Sequence, residues 1–174
     1  MNSCAQMGIF SRNPGDLCVK PASGIYGVGF RILRERITDR TTLSALSTLE
    51  IPEAAFRATL AALPGAEEMM LMPLLPGKER SVDFACLDGD LLGTTTRIKT
   101  LTSQKICHDQ WGENLARLIA RTFGLSGVLN LQTMEDATGT QRLLEVNSRT
   151  SGGIGMTGLT KVNLPALFLN ALEG

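Results

Sequence analysis

A predicted hairpin between residues 129 and 147 constrains the fold of this chain more than any other stretch. Residues 129–134 are rich in apolar side chains and predict one strand, and residues 143–147 (LLEVN) predict a second. Between them, residues 136–140 contain the Asp, Thr and Gly that are typical of turns. Two strands joined by such a turn predict an antiparallel β-hairpin.

The second strand of this hairpin has two different faces. Alternate residues of a strand share a face, so Glu145 and Asn147 point the same way, and Arg149 joins them if the strand continues. Leu144 and Val146 are expected on the opposite face, toward a core.

One amide, one carboxylate and a second amide on this hairpin suggest a metal site made by Gln132, Glu145 and Asn147. Mg²⁺ prefers oxygen ligands and takes only one or two carboxylates beside phosphate oxygens. Arg149 could supply positive charge to a phosphoryl group in transfer. It leads into residues 151–155, a glycine-rich loop where a ligand can approach the backbone. The alternative is an edge hairpin whose polar face meets water.

Near its start the chain predicts a strand over residues 17–19, a glycine loop over residues 22–29 and another strand over residues 30–33. A P-loop or a dinucleotide fingerprint needs a helix after its glycines, which this order excludes. The N–H groups of a glycine hairpin can bind phosphate, and Lys20 could reach the same anion. The alternatives are an ordinary flexible hairpin and an exposed lysine.

The rest of the chain alternates predicted helices and strands. Apolar periodicity with helix start and stop residues predicts helices over residues 41–49, 51–63, 110–123 and 162–172. Apolar runs bounded by turn residues predict strands over residues 69–75, 81–87 and 91–99. The last two strands are predicted to form a hairpin around residues 88–90 (DGD). Pro73 removes one ladder N–H, which indicates a strand edge or a hinge.

The helix over residues 110–123 is expected to be amphipathic and to end at Gly124. Its predicted apolar face consists of Trp111, Leu115, Leu118, Ile119 and Thr122. His108 precedes this helix without a Ser or Cys partner at a recognisable spacing, and we interpret it as structural or capping.

Arg97 and Lys99 share one face of the predicted strand over residues 91–99. Two cations that face a pocket could hold an anionic substrate. The alternative is a solvated face of the sheet, on which both side chains meet water.

The charge balance excludes some classes of function. The 17 basic residues equal the 17 acidic ones, which argues against a general nucleic-acid or membrane-surface role. No apolar run reaches transmembrane length, and the N-terminus lacks a signal-peptide pattern. The four cysteines are scattered and there is one histidine, so neither zinc nor a disulfide framework is expected. Reduced thiols suggest a cytoplasmic protein.

Four motifs, taken in order, resemble the ATP-grasp superfamily. They are Val19-Lys20-Pro21 with the glycine hairpin, residues 76–83 (PGKERSVD), Asn130-Leu131-Gln132, and residues 144–149 (LEVNSR). The Gln…Glu-x-Asn-x-Arg version is most similar to the branch of the carbamoyl-phosphate synthetase large subunit. The likeness covers the chain from about Leu17 onward.

The resemblance implies an α+β fold with two β-rich lobes, helices in each, and a nucleotide cleft between them. Residues 1–75 would form the small lid subdomain, and residues 76–174 would form the larger C-terminal lobe with the metal site. Only 16 residues precede Leu17, so the family's N-terminal lobe and its phosphate-contacting cation are expected to be missing. The chain would then be a fragment, a split-gene half or a degraded relative.

The resemblance also implies a nucleotide site for ATP. Lys20 would contact the phosphates, and the glycine loop would close over them through Ser23, Gly24, Gly27 and Gly29. The backbone of Leu74 and Leu75 would meet adenine, although Pro73 stands where an acidic residue often precedes this segment. Glu79 would bind the ribose hydroxyls.

The same resemblance implies a magnesium or manganese ion held by Gln132, Glu145 and Asn147, with Glu145 bridging. Arg149 would steady the transferring phosphoryl group. Enzymes of this family activate a carboxylate as an acyl phosphate, which an amine or another nucleophile attacks, while the lid excludes water. The expected partner is a small-molecule carboxylate, and a homodimer or a complementing N-terminal lobe is possible. The alternatives are a nucleotide-binding module without catalysis and a structural remnant.

Overall fold

The computed structural model describes residues 16–24, 27–35, 49–63, 65, 68–100 and 102–174. The chain divides into two compact units, Met1–Leu74 and Leu75–Gly174. Each unit contains its own β-sheet and at least one helix, so the α+β class predicted from the sequence is confirmed. No helix of the described ranges is long and apolar enough to cross a membrane.

The first unit is a four-stranded sheet with one described helix. Its strands are β1 (Leu17–Pro21), β2 (Arg31–Arg34), β3 (Glu50–Pro52) and β4 (Met69–Pro73), and its helix is α1 (Glu53–Ala62). The strand order is β3-β2-β1-β4, with β1 antiparallel to both β2 and β4 and with β2 parallel to β3. Leu17, Val19 and Leu33 form its small buried core.

Most predictions for this unit are confirmed, and one is wrong. The strands on either side of the glycine loop are present, and Pro73 lies in β4 at an edge of the sheet. Ile51 and Pro52 were predicted to begin a helix, but they belong to β3 and the helix begins at Glu53. Proline biases the preceding residue toward extended backbone, and Ile51 pairs with Leu33. Apart from Leu49, the helix predicted over residues 41–49 lies outside the described residues.

The second unit is built on a five-stranded antiparallel sheet. Its strands are β5 (Glu79–Leu87), β6 (Asp90–Lys99), β7 (Gln104–Cys107), β8 (Gly127–Glu135) and β9 (Gln141–Asn147). The order is β7-β6-β5-β8-β9, which places β9 at one edge. Asp88 and Gly89 join β5 to β6 with φ angles of 49° and 87°. Such a left-handed pair is typical of a two-residue hairpin turn, and the predicted hairpin is confirmed.

Helices cover parts of both faces of this sheet. They are α2 (Gln110–Phe123), α3 (Ile154–Thr157), which continues into a 3₁₀ turn, and α4 (Leu164–Glu173). The main core lies under α2, where Val82, Phe84 and Leu131 are fully buried. On the opposite face, α4 contacts the sheet at Gly93, where an added Cβ would lie 2.8 Å from Leu167 Cδ1.

The bounds of α2 are as predicted, but its buried face is different. Gly124 ends the helix in the left-handed conformation at φ 58°. The buried residues are Gly112, Ala116, Ile119 and Ala120, while Trp111, Leu118 and Thr122 of the predicted apolar face are exposed. Small side chains allow the helix to approach the sheet closely, and a pattern that weights large apolar residues misses them. His108 contacts Glu113 in the first turn, which agrees with a structural role.

Replacing Gly112 with alanine is expected to lower the free energy of unfolding by about 1–3 kcal/mol, as other overpacked cores show. The added Cβ would lie 2.9 Å from Val82 Cγ2 and 3.0 Å from Thr96 Oγ1. Urea unfolding measures the change. Gly155→Ala is the control, because a Cβ at that helical position meets no atom within 4 Å. Equal stabilities of the two variants would contradict the close approach of α2.

Candidate functional site

The hairpin of β8 and β9 brings one carboxylate and three amides to a single face of the sheet. In the register, Gln132 stands opposite Glu145, and Asn130 stands opposite Asn147. Directly opposed residues of antiparallel strands share a face, and so do residues two apart along one strand. The three residues predicted as metal ligands are therefore neighbours, and Asn130 is a fourth member of their group.

Three side chains of this group, those of Asn130, Glu145 and Asn147, are linked by hydrogen bonds. Asn147 Nδ2 donates to Glu145 Oε1 at 2.9 Å and to Asn130 Oδ1 at 3.4 Å. Both bonds engage the nitrogen of the Asn147 amide, so its oxygen is the atom left to face a ligand. Glu145 and Asn147 are half-buried, which keeps them accessible to a ligand at the surface.

The side chain of Arg149 lies outside this hydrogen-bonded group. β9 ends at Asn147, so the condition for Arg149 to share the face of Glu145, a continued strand, is not met. Arg149 is exposed, and its Nη1 donates to the carbonyl oxygen of Thr150 at 3.0 Å. Its predicted role at a phosphoryl group stays a prediction.

The opposite face of β9 is not the core that the sequence predicted. Leu144 is 39% exposed and Val146 is 41% exposed. The helix on that side of the sheet, α2, contacts β5 and β6, so it does not cover the edge strand. The predicted alternation is confirmed for Glu145, Val146 and Asn147, but the register shifts at Leu144, which has no opposite residue on β8. The presence of a covering layer cannot be read from one strand.

The turn between β8 and β9 is organised by Asp136. Its Oδ1 accepts hydrogen bonds from the backbone N–H groups of Thr138 and Thr140 and from the Thr138 hydroxyl, and its Oδ2 accepts one from Arg142 Nε. The Thr138 hydroxyl and the Arg142 guanidinium hold the pKa of this carboxyl well below its usual range. These bonds fix the connection between the two strands that carry the predicted ligands.

Arg97 lies on the same face of the sheet as Gln132 and Glu145, because it stands opposite Ser81, which stands opposite Gln132. Its side chain is buried, with 3% exposed. Its Nη2 donates to Asp83 Oδ2 at 3.0 Å, to Ser81 Oγ at 2.9 Å and to Ser151 Oγ at 2.7 Å. Its Nη1 donates to Gln104 Oε1 at 3.0 Å. The solvated face considered from the sequence is wrong for Arg97, because its donors are engaged inside the protein. The predicted substrate contact of Arg97 stays a prediction.

Lys99, two residues after Arg97 on β6, forms an ion pair with Glu79. Lys99 Nζ contacts Glu79 Oε1, and both side chains remain partly exposed. Residues 79, 81 and 83 alternate along β5, so Glu79 shares the face of Ser81 and Asp83. The predicted ribose contact of Glu79 and the predicted substrate contact of Lys99 stay predictions.

In the first unit, the described part of the glycine loop requires its glycines. Gly27 and Gly29 have φ angles of 68° and 82°, which disfavour any side chain. A Cβ on Gly29 would also lie 2.7 Å from Pro21 Cγ. Ser23, Gly24 and Gly27 are exposed, and Lys20 is half-buried on β1. The loop therefore presents backbone, as an anion-binding hairpin does.

Leu74 and Leu75 lie on either side of the boundary between the two units. The Leu74 N–H donates to the carbonyl oxygen of Asp16 at 2.9 Å, which engages that donor. An adenine contact through this segment would therefore use the Leu74 carbonyl or the backbone of Leu75.

The donor set of the hairpin fits a magnesium ion. Among the residues with described positions, no group of three or more His, Cys, Asp and Glu side chains could hold a metal. A cation at the β8–β9 hairpin would be bound by the carboxylate of Glu145 together with amide oxygens. Mg²⁺ accepts such a set because it completes its shell with water and phosphate oxygens.

Sequence reasoning assigned no function to Ser81, Asp83, Asn130 or Ser151, which the structure places around Arg97 and Asn147. A signal was available for three of them. Ser81 and Asp83 alternate along β5, and Asn130 precedes Gln132 by two positions, so each pair shares a face.

The sequence model of a protein family matches residues 65–174, and its description is "ATP-grasp in the biosynthetic pathway with Ter operon". No curated protein matches the chain.

Solved structures match the chain at low identity. The ATP-grasp ligase PsnB complexed with minimal precursor, Mg and ADP is 18% identical, with a TM-score of 0.59 over 94% of this chain and 47% of that one. The biotin carboxylase domain of Hydrogenobacter thermophilus 2-oxoglutarate carboxylase is 15% identical, with a TM-score of 0.58 over 95% of this chain and 38% of that one. L-amino acid ligase from Bacillus licheniformis is 16% identical, with a TM-score of 0.52 over 91% of this chain and 39% of that one. The chain thus spans about half the length of these structures or less, and the likeness shows the fold.

Proposed function

The chain belongs to the ATP-grasp family described as acting in the biosynthetic pathway with the Ter operon, and from this premise we propose that it is an ATP- and Mg²⁺-dependent ligase. The proposed reaction activates a carboxylate as an acyl phosphate, which an amine or another nucleophile then attacks. The observation that carries the proposal is the amide–carboxylate–amide group on the β8–β9 hairpin.

In this proposal Gln132, Glu145 and Asn147 hold the magnesium ion. When bound, the ion neutralises charge on the nucleotide phosphates. Glu145 supplies the negative charge of the site, and the two neutral amides supply oxygens without repelling the phosphates. We assign no side-chain nucleophile, because positioning and electrostatics carry phosphoryl transfer.

The nucleotide is bound by groups that surround its phosphates and its ribose. Lys20 and the N–H groups of the loop at Ser23, Gly24, Gly27 and Gly29 bind the phosphates, and Glu79 accepts hydrogen bonds from the ribose hydroxyls. Arg149 turns from the Thr150 carbonyl toward the phosphoryl group when ligands bind, which its exposure permits. In this assignment the first unit is the lid and the second carries the metal site.

Two measurements test the proposal. Isothermal titration with MgATP tests binding, and ADP release is then followed against small carboxylates, amino acids and short peptides. The peptides are included because PsnB was solved with a precursor peptide, and the amino acids because another neighbour is an L-amino acid ligase. We expect ADP release that depends on one class of acid. Absence of MgATP binding would refute the proposal.

A second candidate is a nucleotide-binding module that does not turn over by itself. One observation favours it: Arg149 donates to the carbonyl oxygen of its neighbour, Thr150. MgATP binding without acid-dependent ADP release would support this candidate. Size-exclusion chromatography then separates monomer, homodimer and any complex with an added lobe. The ADP-release assay on each species shows whether turnover is restored.

Replacing Lys20 with alanine is expected to weaken ATP binding about tenfold or more, which corresponds to ~1.4 kcal/mol. Adenosine binding should change little, because the lysine is assigned to the phosphates and not to the nucleoside. Competition against a fluorescent nucleotide measures both affinities. Lys161→Ala, which removes an exposed lysine of the second unit, is the control. Equal losses for ATP and adenosine would count against the phosphate contact.

A further inference from the structure

Five polar side chains form a buried cluster beside the proposed metal site, on the same face of the sheet. The buried polar cluster consists of Ser81, Asp83, Arg97, Asn130 and Ser151, each at most 7% exposed. The proposed function assigns no role to it. Burying polar and charged groups is costly unless each is bonded, so their hydrogen bonds define what the cluster does.

The ion pair of Arg97 and Asp83 fixes one end of the cluster. Arg97 Nε and Nη2 donate to Asp83 Oδ2 at 3.2 and 3.0 Å. The other carboxylate oxygen, Oδ1, accepts from Asn130 Nδ2 at 3.0 Å. Asp83 is fully buried and Arg97 nearly so, so the geometry of this pair is held by packing and by charge.

The amide of Asn130 therefore has a single orientation. Its Nδ2 lies among three acceptors: Ser81 Oγ at 2.9 Å, the Val82 carbonyl oxygen at 3.2 Å and Asp83 Oδ1. A flipped amide would place its oxygen against the carbonyl and the carboxylate, neither of which can donate. The Asn130 oxygen consequently faces Asn147, whose Nδ2 donates to it.

We propose that the buried polar cluster is a positioning device for the metal site. Asn130 attracts the NH₂ group of Asn147, so the Asn147 oxygen is presented to the cation. Glu145 Oε1 accepts from the same nitrogen and supports the orientation. The inference rests on the proposed function, because it requires a cation on this face. Asn130 is a positioning residue, since it acts through Asn147.

The cluster also positions the loop that follows Arg149. Arg97 Nη2 donates to Ser151 Oγ, which in turn accepts from the Gly153 N–H at 3.2 Å. The buried arginine is thus connected to Asn147 on β9 through Asp83 and Asn130. Through Ser151 it is connected to the backbone N–H of Gly153, four residues beyond Arg149. Its bonds stabilise both parts in one arrangement before a ligand arrives.

A double-mutant cycle tests the positioning role. Asn130→Leu removes the acceptor for Asn147 and keeps the number and branching of the side-chain heavy atoms. Asn147→Asp places an oxygen on both sides of the side chain, so either orientation presents an oxygen to the cation, although the inner oxygen can no longer donate to Asn130 or Glu145. Binding of Mn²⁺ to the complex with a non-hydrolysable ATP analogue is measured by electron paramagnetic resonance, and unfolding curves confirm that each variant is folded.

We expect Asn130→Leu to raise the Mn²⁺ dissociation constant about tenfold or more, as for other residues that orient metal ligands. In the Asn147→Asp background the same substitution should not raise the dissociation constant by more than about twofold, since no orientation remains to be set. Asn147→Asp alone should bind Mn²⁺. Asn130→Thr, whose hydroxyl can still donate to Asp83, replaces Asn130→Leu if the latter unfolds.

The outcomes separate this inference from the proposed function. A wild-type protein that binds no Mn²⁺ with the analogue refutes the proposed function, and the inference with it. Equal losses in both backgrounds would mean that Asn130 is merely structural and would overturn the inference alone. The inference alone would also be overturned if the Asn130 variants lost no affinity for Mn²⁺, or if Asn147→Asp abolished Mn²⁺ binding.

Discussion

Glu145→Ala is expected to abolish magnesium-dependent nucleotide binding, with at least a roughly 100-fold loss of affinity. Substituting a residue that merely orients a metal ligand already lowers metal affinity about 10- to 100-fold. Glu145 is itself a proposed ligand, and it is the only carboxylate of the proposed ligand set. Gln132 and Asn147 are neutral, so no other proposed protein ligand supplies charge to the divalent ion. The loss should be specific to the metal complex, with metal-free nucleotide much less affected.

Ligand-induced stabilisation measures this loss. A ligand at 100 times its dissociation constant stabilises a protein by about 2.7 kcal/mol, and Glu145→Ala should remove most of that gain for MgATP. Glu173→Ala is the matched control, because this exposed carboxylate ends α4 and is not a member of the hairpin group. Undiminished stabilisation of Glu145→Ala by MgATP would refute the metal assignment.

Gly153→Ala is expected to destabilise the second unit by about 3 kcal/mol, the lower end of the cost of breaking a buried ion pair. The added Cβ would lie 2.1 Å from Arg97 Nη1 and 2.5 Å from Arg97 Cζ. The guanidinium would have to leave Asp83, which is buried and has no other cation bonded to it in the described structure. Urea unfolding measures the change.

Gly152→Ala controls for the general effect of a side chain in this loop. A Cβ on Gly152 meets no atom within 4 Å, so its stability should stay within about 0.5 kcal/mol of wild type. The backbone of Gly153 has φ −99° and ψ 8°, which other residues adopt, so strain at that position does not explain a loss. Similar stabilities of the two variants would show that the loop yields and that Arg97 keeps its partner.

Elements governed by local sequence could be predicted, and those governed by distant partners could not. The hairpin turn at Asp88 and Gly89 and the end of α2 at Gly124 depend on a few adjacent residues. β3 exists because Ile51 pairs in parallel with Leu33, across a segment that gives no sign of this contact. The exposure of Leu144 was missed because it depends on where α2 lies.

The same distinction applies to the candidate site. Gln132 and Glu145 were expected together because one turn sets the register of two adjacent strands. The burial of Arg97 was not predicted, because its partners Asp83 and Ser151 are 14 and 54 positions away. A cation on a strand is usually at the surface. Only the fold shows that acceptors from β5 and from the loop after β9 surround it.

The position of β9 at the border of its sheet has a consequence for ligand exchange. Two of the proposed ligands belong to a strand with a ladder on one side only, so its amide protons should exchange with solvent through local opening. The strands around Phe84 should stay closed during such events. A bound ion and nucleotide that contact both β8 and β9 would suppress this opening. Deuterium uptake by the β9 amides would therefore fall when the metal and nucleotide are bound.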